Sequence, residues 1–172
     1  MLITCKQNSW DMANYLELNQ PLQDAIKSEI ELLSCEKVFA STFDGCGAPL
    51  FAISLTGLAI SISNLVKSDE AAHQQIVNAC TTYPELVAGQ GRLTTRLMRA
   101  VPGLFMKEGA EGIDVCALSD GRVIAIKIID GSWHPVAPII MEIFKRWGIS
   151  MPDESMKIYG GGSVIGEVIA NI

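Results

Sequence analysis

Ile113-Asp114-Val115-Cys116-Ala117-Leu118-Ser119-Asp120-Gly121-Arg122-Val123-Ile124-Ala125-Ile126-Lys127-Ile128-Ile129 reads as two strands around a tight turn. Apolar and β-branched residues crowd both arms. Asp120-Gly121 supplies the positive φ angles that a hairpin turn demands. Strands are therefore expected over 113–118 and 123–129.

Downstream of this hairpin, Val136, Ile140, Ile143, Phe144 and Trp147 recur at helical spacing, and Gly148 is a natural stop. Residues 163–169 read as a last short strand. Upstream, Leu93, Leu97 and Val101 mark a short helix closed by Pro102-Gly103. Before Gly89-Gln90-Gly91, a helix capped by Asp69 is expected to set Ala72, Ile76, Cys80 and Tyr83 on one face until Pro84 ends it. A further helix over 54–66 carries Leu55, Leu58, Ile62 and Leu65 on one side. Nearer the start, Asn19 as cap and Pro21 in the first turn open a helix with Leu22, Ile26, Ile30 and Leu33 in its stripe. Between these two helices come apolar Val38-Phe39-Ala40, polar Ser41-Thr42, and the loop Asp44-Gly45-Cys46-Gly47-Ala48-Pro49.

Helices first, then a hairpin, a helix and a strand do not make alternating β-α-β units. The order predicts an α+β fold, with helices packed on an antiparallel sheet, in a single domain over residues 1–172. A sheet of three strands is small for so many helices, so strands that would complete it are expected to be missing.

Composition narrows the function classes. The chain has 172 residues, 49% of them hydrophobic and 19% charged, enough to bury a core without disulfides. A net charge of −6 and the lack of any Lys/Arg cluster argue against nucleic acid and against an anionic membrane surface. Cys5, Cys35, Cys46, Cys80 and Cys116 are odd in number and widely spaced, which reads as reduced cysteines in a cytoplasmic protein. Residues 45–66 carry no charge over 22 positions, yet Pro49, Ser54, Thr56, Gly57, Ser61, Ser63 and Asn64 interrupt them. Each polar group would need a partner in lipid, so a buried helix is expected there and not a membrane span.

A series of short motifs carries a resemblance. They are Asp44-Gly45-Cys46-Gly47-Ala48-Pro49, Tyr83-Pro84-Glu85-Leu86-Val87-Ala88-Gly89 and Leu97-Met98-Arg99-Ala100-Val101-Pro102-Gly103. Next come Lys107-Glu108-Gly109-Ala110-Glu111-Gly112, Ala125-Ile126-Lys127-Ile128, and the tail Val164-Ile165-Gly166-Glu167-Val168. Trp10, Tyr15-Leu16 and Pro21-Leu22-Gln23 extend the likeness to the front. In this order the motifs resemble the asparaginase II family of amidohydrolases. The resemblance implies part of a serine β-lactamase-like or glutaminase-like fold and hydrolysis of asparagine to aspartate and ammonia. It also implies that the chain matches the family's carboxy-terminal half. On that footing the family's Ser-x-x-Lys and Cys-Ser-Gly-Lys-His segments are expected ahead of Met1, not within the chain. The chain would then be a truncated or split asparaginase, or an inactive remnant or interaction module that needs a partner chain.

Acyl transfer from an amide requires a nucleophile, a base, and donors aimed at the developing oxyanion. Lys107-Glu108-Gly109 is similar to the Lys-Thr-Gly strand of β-lactamase-like enzymes. By that analogy Lys107 supplies positive charge, Gly109 admits the substrate closely, and the Ala110 N–H faces the oxyanion. A Gly-rich turn is the bland alternative. Asp44 is the candidate for the substrate ammonium, and Cys46 is a candidate thiolate ligand of zinc or a pocket thiol. Zinc would need further ligands, which the resemblance places in the absent segment. Glu111 either orients Lys107 or caps the turn. Lys127, a charge inside an apolar strand, points to the pocket or to solvent. His73 is expected to be solvated and His134 structural. Asp44, Cys46 and Lys107 are expected around one concavity that holds a small amino-acid amide. An uncovered sheet edge predicts self-association or a partner chain.

Overall fold

The computed structural model describes the whole chain, Met1–Ile172, as α+β, in two compact units, Met1–Ser61 and Ile62–Ile172. The boundary falls within one helix, Leu55–Lys67.

The first unit opens with α1 (Leu2–Gln7), a helix the sequence pattern did not announce. Its Cys5 is fully buried. Helix α2 (Pro21–Ser34) begins with Pro at its first position and has Gln20, not Asn19, as its N-cap. Pro fits there because that N–H has no intrahelical partner to lose. Cys35 ends the helix in the left-handed conformation at φ 57°. The segment read as an apolar stretch and a loop is a hairpin. Strand β1 (Ala40–Phe43) pairs antiparallel with β2 (Pro49–Ala52), with Phe43 opposite Pro49. Asp44 N–H donates to Ala48 O at 2.8 Å and Gly47 N–H to Asp44 O at 2.8 Å, which closes the turn. Helix α3 (Leu55–Lys67) follows. The uncharged stretch 45–66 thus resolves into a turn, a strand and most of a helix. No helix is long and apolar enough to cross a membrane.

The second unit continues with α4 (Ala71–Thr82), α5 (Pro84–Ala88) and α6 (Leu93–Ala100). Helix α4 is capped by Glu70, not Asp69. Its stripe also differs from the expected one. Ile76 and Tyr83 are exposed, while His73 is buried and Val77 and Cys80 are half-buried. The buried face is thus turned away from the one that apolar spacing suggested, because a polar His73 fills part of it.

Three antiparallel strands follow: β3 (Phe105–Glu108), β4 (Ile113–Ala117) and β5 (Val123–Lys127). The predicted hairpin is present, with Leu118 N–H donating to Arg122 O and Gly121 N–H to Leu118 O, both at 2.9 Å. Gly121 sits at φ 91°, where a side chain would be strained. Strand β3 left no periodic signal, though the likeness of Lys107-Glu108-Gly109 to a Lys-Thr-Gly strand implies one there; it pairs with β4 through Phe105↔Ala117, Met106↔Cys116, Lys107↔Val115 and Glu108↔Asp114. Helix α7 (Val136–Arg146) follows the expected stripe. The final strand does not join this sheet. Strand β7 (Ser163–Val168) pairs instead with an unanticipated neighbour, β6 (Met156–Gly160).

Strand alternation sets Met106, Cys116, Ile124 and Ile126 on one sheet face. They join Leu97, Met98 and Val101 near α6, and Val136, Ile140 and Phe144 on α7, in one apolar cluster. Phe144 stacks on Trp147 at a centroid distance of 6.0 Å. Phe144 is fully buried, whereas Ile129 is 100% exposed. Phe144→Ala should therefore destabilise the protein by about 3–5 kcal/mol in urea unfolding. Ile129→Ala should stay within about 0.5 kcal/mol of wild type. Equal losses from the two would show that the cluster is not what holds this unit together.

Candidate functional site

In the second unit the candidate residues gather where β3 leaves the sheet. Lys107 lies on β3, and Gly109-Ala110-Glu111-Gly112 turns the chain into β4. Gly109 N–H donates to Ile113 O at 2.9 Å, and Ile128 N–H donates to Gly112 O at 2.9 Å, so the turn is anchored at both ends. Between these anchors the Ala110 N–H has no hydrogen-bond partner, and Ala110 is exposed. Glu111 (φ 58°) and Gly112 (φ 66°) are both left-handed. A Cβ at Gly112 would lie 3.0 Å from the Gly131 carbonyl carbon and 3.0 Å from Ser132 O, so glycine is required there.

The lysines are placed by this turn. Lys107 is exposed, and its Nζ donates to the Glu108 carbonyl. Lys127 Nζ, also exposed, donates to the Glu111 carbonyl and so ties the end of β5 to the turn. Glu111 meets Lys127 through its backbone. Its carboxylate makes no ion pair with Lys107, and its Oε2 lies 2.9 Å from where a Cβ on Gly131 would be. The turn-stabilising reading of Glu111 is the one this geometry favours.

The first unit holds the other pair. Asp44 and Cys46 are exposed in the β1–β2 turn, and the Cys46 thiol donates to Asp44 Oδ2 at 3.4 Å. These two give two donors at most, and no group of three or more His, Cys, Asp or Glu gathers anywhere to hold a metal ion. The residues present do not assemble a zinc centre. His134 pairs Nδ1 with Ser132 Oγ at 3.1 Å at the entrance to α7, a local turn contact. His73, expected in solvent, is only 9% exposed, with Nδ1 2.8 Å from Ser68 Oγ.

Against expectation, one Ser-x-x-Lys spacing does occur within the chain, at Ser34-Cys35-Glu36-Lys37. It does not make a nucleophile–base pair. Ser34 is the last residue of α2, buried, with Oγ donating to Glu36 O at 3.4 Å. Cys35 then breaks the helix, so Lys37 does not lie one turn above the serine. Lys37 points to solvent and pairs with Glu31 at 2.6 Å.

Sequence reasoning missed the most unusual group. Asp114 is 3% exposed, and its Oδ1 is buried with no hydrogen-bond partner. Its cross-strand neighbour Glu108 is also a carboxylate, engaged by Arg92 Nε at 3.1 Å and Nη2 at 2.9 Å. Burial, then repulsion from Glu108, pushes the Asp114 carboxyl up to about 7. The rule applied to Lys127, a charge within an apolar strand, applies with more force to Asp114 and would have found it.

The L-asparaginase II family model matches residues 1–163. The match spans every candidate residue above and stops short of the resembling tail Val164-Ile165-Gly166-Glu167-Val168. No individual curated protein matches the chain.

Asp114 makes stability depend on pH with a defined sign. Its folded value, about 7, stands above the ordinary 3.8 of an unfolded chain. Its contribution is therefore fully present below about pH 4 and is lost as pH rises through about 7. Asp114→Asn should be more stable than wild type in urea unfolding at pH 8, by an amount on the order of a few kcal/mol. The gap should close at or below about pH 4. A gap that is the same at both pH values would mean that Asp114 ionises normally in the folded chain.

Proposed function

The chain belongs to the L-asparaginase II family, and from that premise we propose an amidohydrolase of asparaginase type that converts asparagine to aspartate and ammonia. The observation that carries the reading is the exposed, unpartnered Ala110 N–H, one residue beyond Gly109 and on the turn that follows Lys107. A donor left free in a turn anchored at both ends is preorganised for an anion and needs no rearrangement when charge develops.

In this reading Lys107 and the Ala110 N–H stabilise the tetrahedral oxyanion. Gly109 lets the scissile amide approach the backbone, and Lys127 and Glu111 keep the turn in register. Ser34 and Lys37 are not arranged for acyl transfer, so the proposal assigns nucleophile and base to a segment or partner chain outside the 172 residues. Water then resolves the acyl-enzyme, and ammonia leaves in the first half-reaction.

The direct test is ammonia release. The purified 172-residue chain with L-asparagine should match a buffer control. Addition of a family segment bearing Ser-x-x-Lys and Cys-Ser-Gly-Lys-His should restore turnover. In the restored enzyme Lys107→Ala should lower kcat by about 100-fold or more. Turnover by the isolated chain that disappears in Lys107→Ala would place the nucleophile within the chain and defeat the assignment.

A second reading, an interaction module, draws on the β6–β7 hairpin, where Tyr159 and Ile165 are each 68% exposed. It predicts self-association or dependence on a partner chain. Sedimentation at high concentration should then show more than a single monomeric species; a purely monomeric profile with cooperative melting counts against it.

A further inference from the structure

Alternation along β3 and β4 separates two chemistries on the two faces of one sheet. Lys107 and Val115 share one face; Glu108 and Asp114 share the other, at the end of the apolar cluster. On that second face lies a cavity of about 280 Å³ lined by Gly91, Arg92, Leu93, Glu108, Asp114, Trp133 and Val136. Nothing in the proposed hydrolysis uses it.

The lining is chemically uneven. Leu93 and Val136 are apolar walls, and Trp133 is a half-exposed aromatic at the edge. The Arg92 guanidinium lies over the Trp133 ring at 5.3 Å, directs Nε and Nη2 to Glu108, and leaves Nη1 without a partner. Glu108 is thereby neutralised, with Thr94 Oγ1 at 3.5 Å from its Oε2. Asp114 is not. A carboxylate 3% exposed with an orphaned oxygen is costly, and burial without a donor is rarely tolerated unless a proton or a ligand supplies one. Oδ1 itself is closed to solvent, but the small exposed edge of the carboxylate lines the cavity, and a cation there compensates its charge.

We propose that this cavity binds a small zwitterionic α-amino acid, with its ammonium on Asp114, its carboxylate on Arg92 Nη1, and its side chain along Trp133. The size and the polarity both fit. A cavity of about 280 Å³ has room for a small amino acid. One uncompensated carboxylate and one free guanidinium nitrogen match the two ends of a zwitterion. The charged groups that face Asp114 are Glu108 from β3 and Arg92 from the start of α6, with Lys107 at longer range; β5 presents Ile126 opposite it, and α7 presents Val136. A proton and the ligand ammonium therefore compete for the same carboxylate. The inference stands apart from the hydrolytic reading, since it concerns the opposite face of the sheet and requires no turnover.

Isothermal titration of the 172-residue chain with glycine, L-asparagine, propylamine and propionate tests it. Glycine and L-asparagine should bind at pH 8, roughly tenfold more tightly than at pH 6, as the ionised fraction of a group near 7 dictates. Propylamine and propionate, each with one of the two charges, should bind at least several-fold more weakly than glycine. Asp114→Asn should lose the binding and its pH dependence, with its melting curve showing that it still folds. Trp133→Ala, a change at a half-exposed position, should weaken binding several-fold and serves as the second variant. Ile129→Ala, a change at a fully exposed position outside both sites, should bind as wild type does. No binding at pH 8 would overturn the proposal. So would unaltered binding in Asp114→Asn. Propylamine binding equal to glycine would overturn the role given to Arg92.

Discussion

Successive residues of a strand point to opposite faces, and in β3–β4–β5 that alternation governs the second unit. Met106, Cys116, Ile124 and Ile126 all fall on one side because the antiparallel register pairs even positions with even positions. They meet the stripes near α6 and on α7 in one cluster. A slip of one residue in β3 would turn Lys107 toward that cluster and Glu108 away from it. The register is therefore held by a strong constraint, the cost of burying a lysine among Leu97, Ile140 and Phe144.

The same register fixes where charge can sit. At the end of the apolar face the chain continues with Glu108 opposite Asp114, two like charges where a sheet ordinarily avoids them. Arg92 resolves half of the conflict by pairing with Glu108 at 2.9 Å. The other half persists as an acid that holds its proton close to neutrality. On the opposite face Lys107 reaches solvent. One short pair of strands thus presents a cation to one side and a pair of acids to the other. The Gly109–Gly112 turn that joins them needs residues tolerant of left-handed backbone.

Several elements were legible because their signals are local. The Asp120-Gly121 hairpin, the α7 stripe, the α3 helix and the breaks at Pro84 and Gly148 each rest on contacts within a few residues. Strands β1, β2 and β6 were not, since four or five residues carry too little periodicity to reveal a strand before its partner is known, and β3 was marked only by the likeness of Lys107-Glu108-Gly109 to a known strand motif. The α4 stripe failed for a related reason. Apolar spacing pointed to Ile76, and the buried position went to His73, which Ser68 satisfies with a hydrogen bond. The apparent Ser-x-x-Lys at Ser34 shows the converse. Its spacing is right, and the left-handed Cys35 between its members removes the helical turn that would give the spacing meaning.

Sequence by itself determined the α+β class, the family, and the segments on which Asp44, Cys46, Lys107, Ala110 and Lys127 stand, since helix stops, a hairpin turn and ordered motifs are all written in neighbouring residues. Only the tertiary structure decided that Lys127 and Glu111 meet through a carbonyl, that Ser34 and Lys37 part, that the Ala110 N–H is left free, and that Asp114 is a buried acid beside Glu108. Those facts depend on strand register and on which groups lose water. Both are set by residues distant in the chain, which no local pattern can weigh.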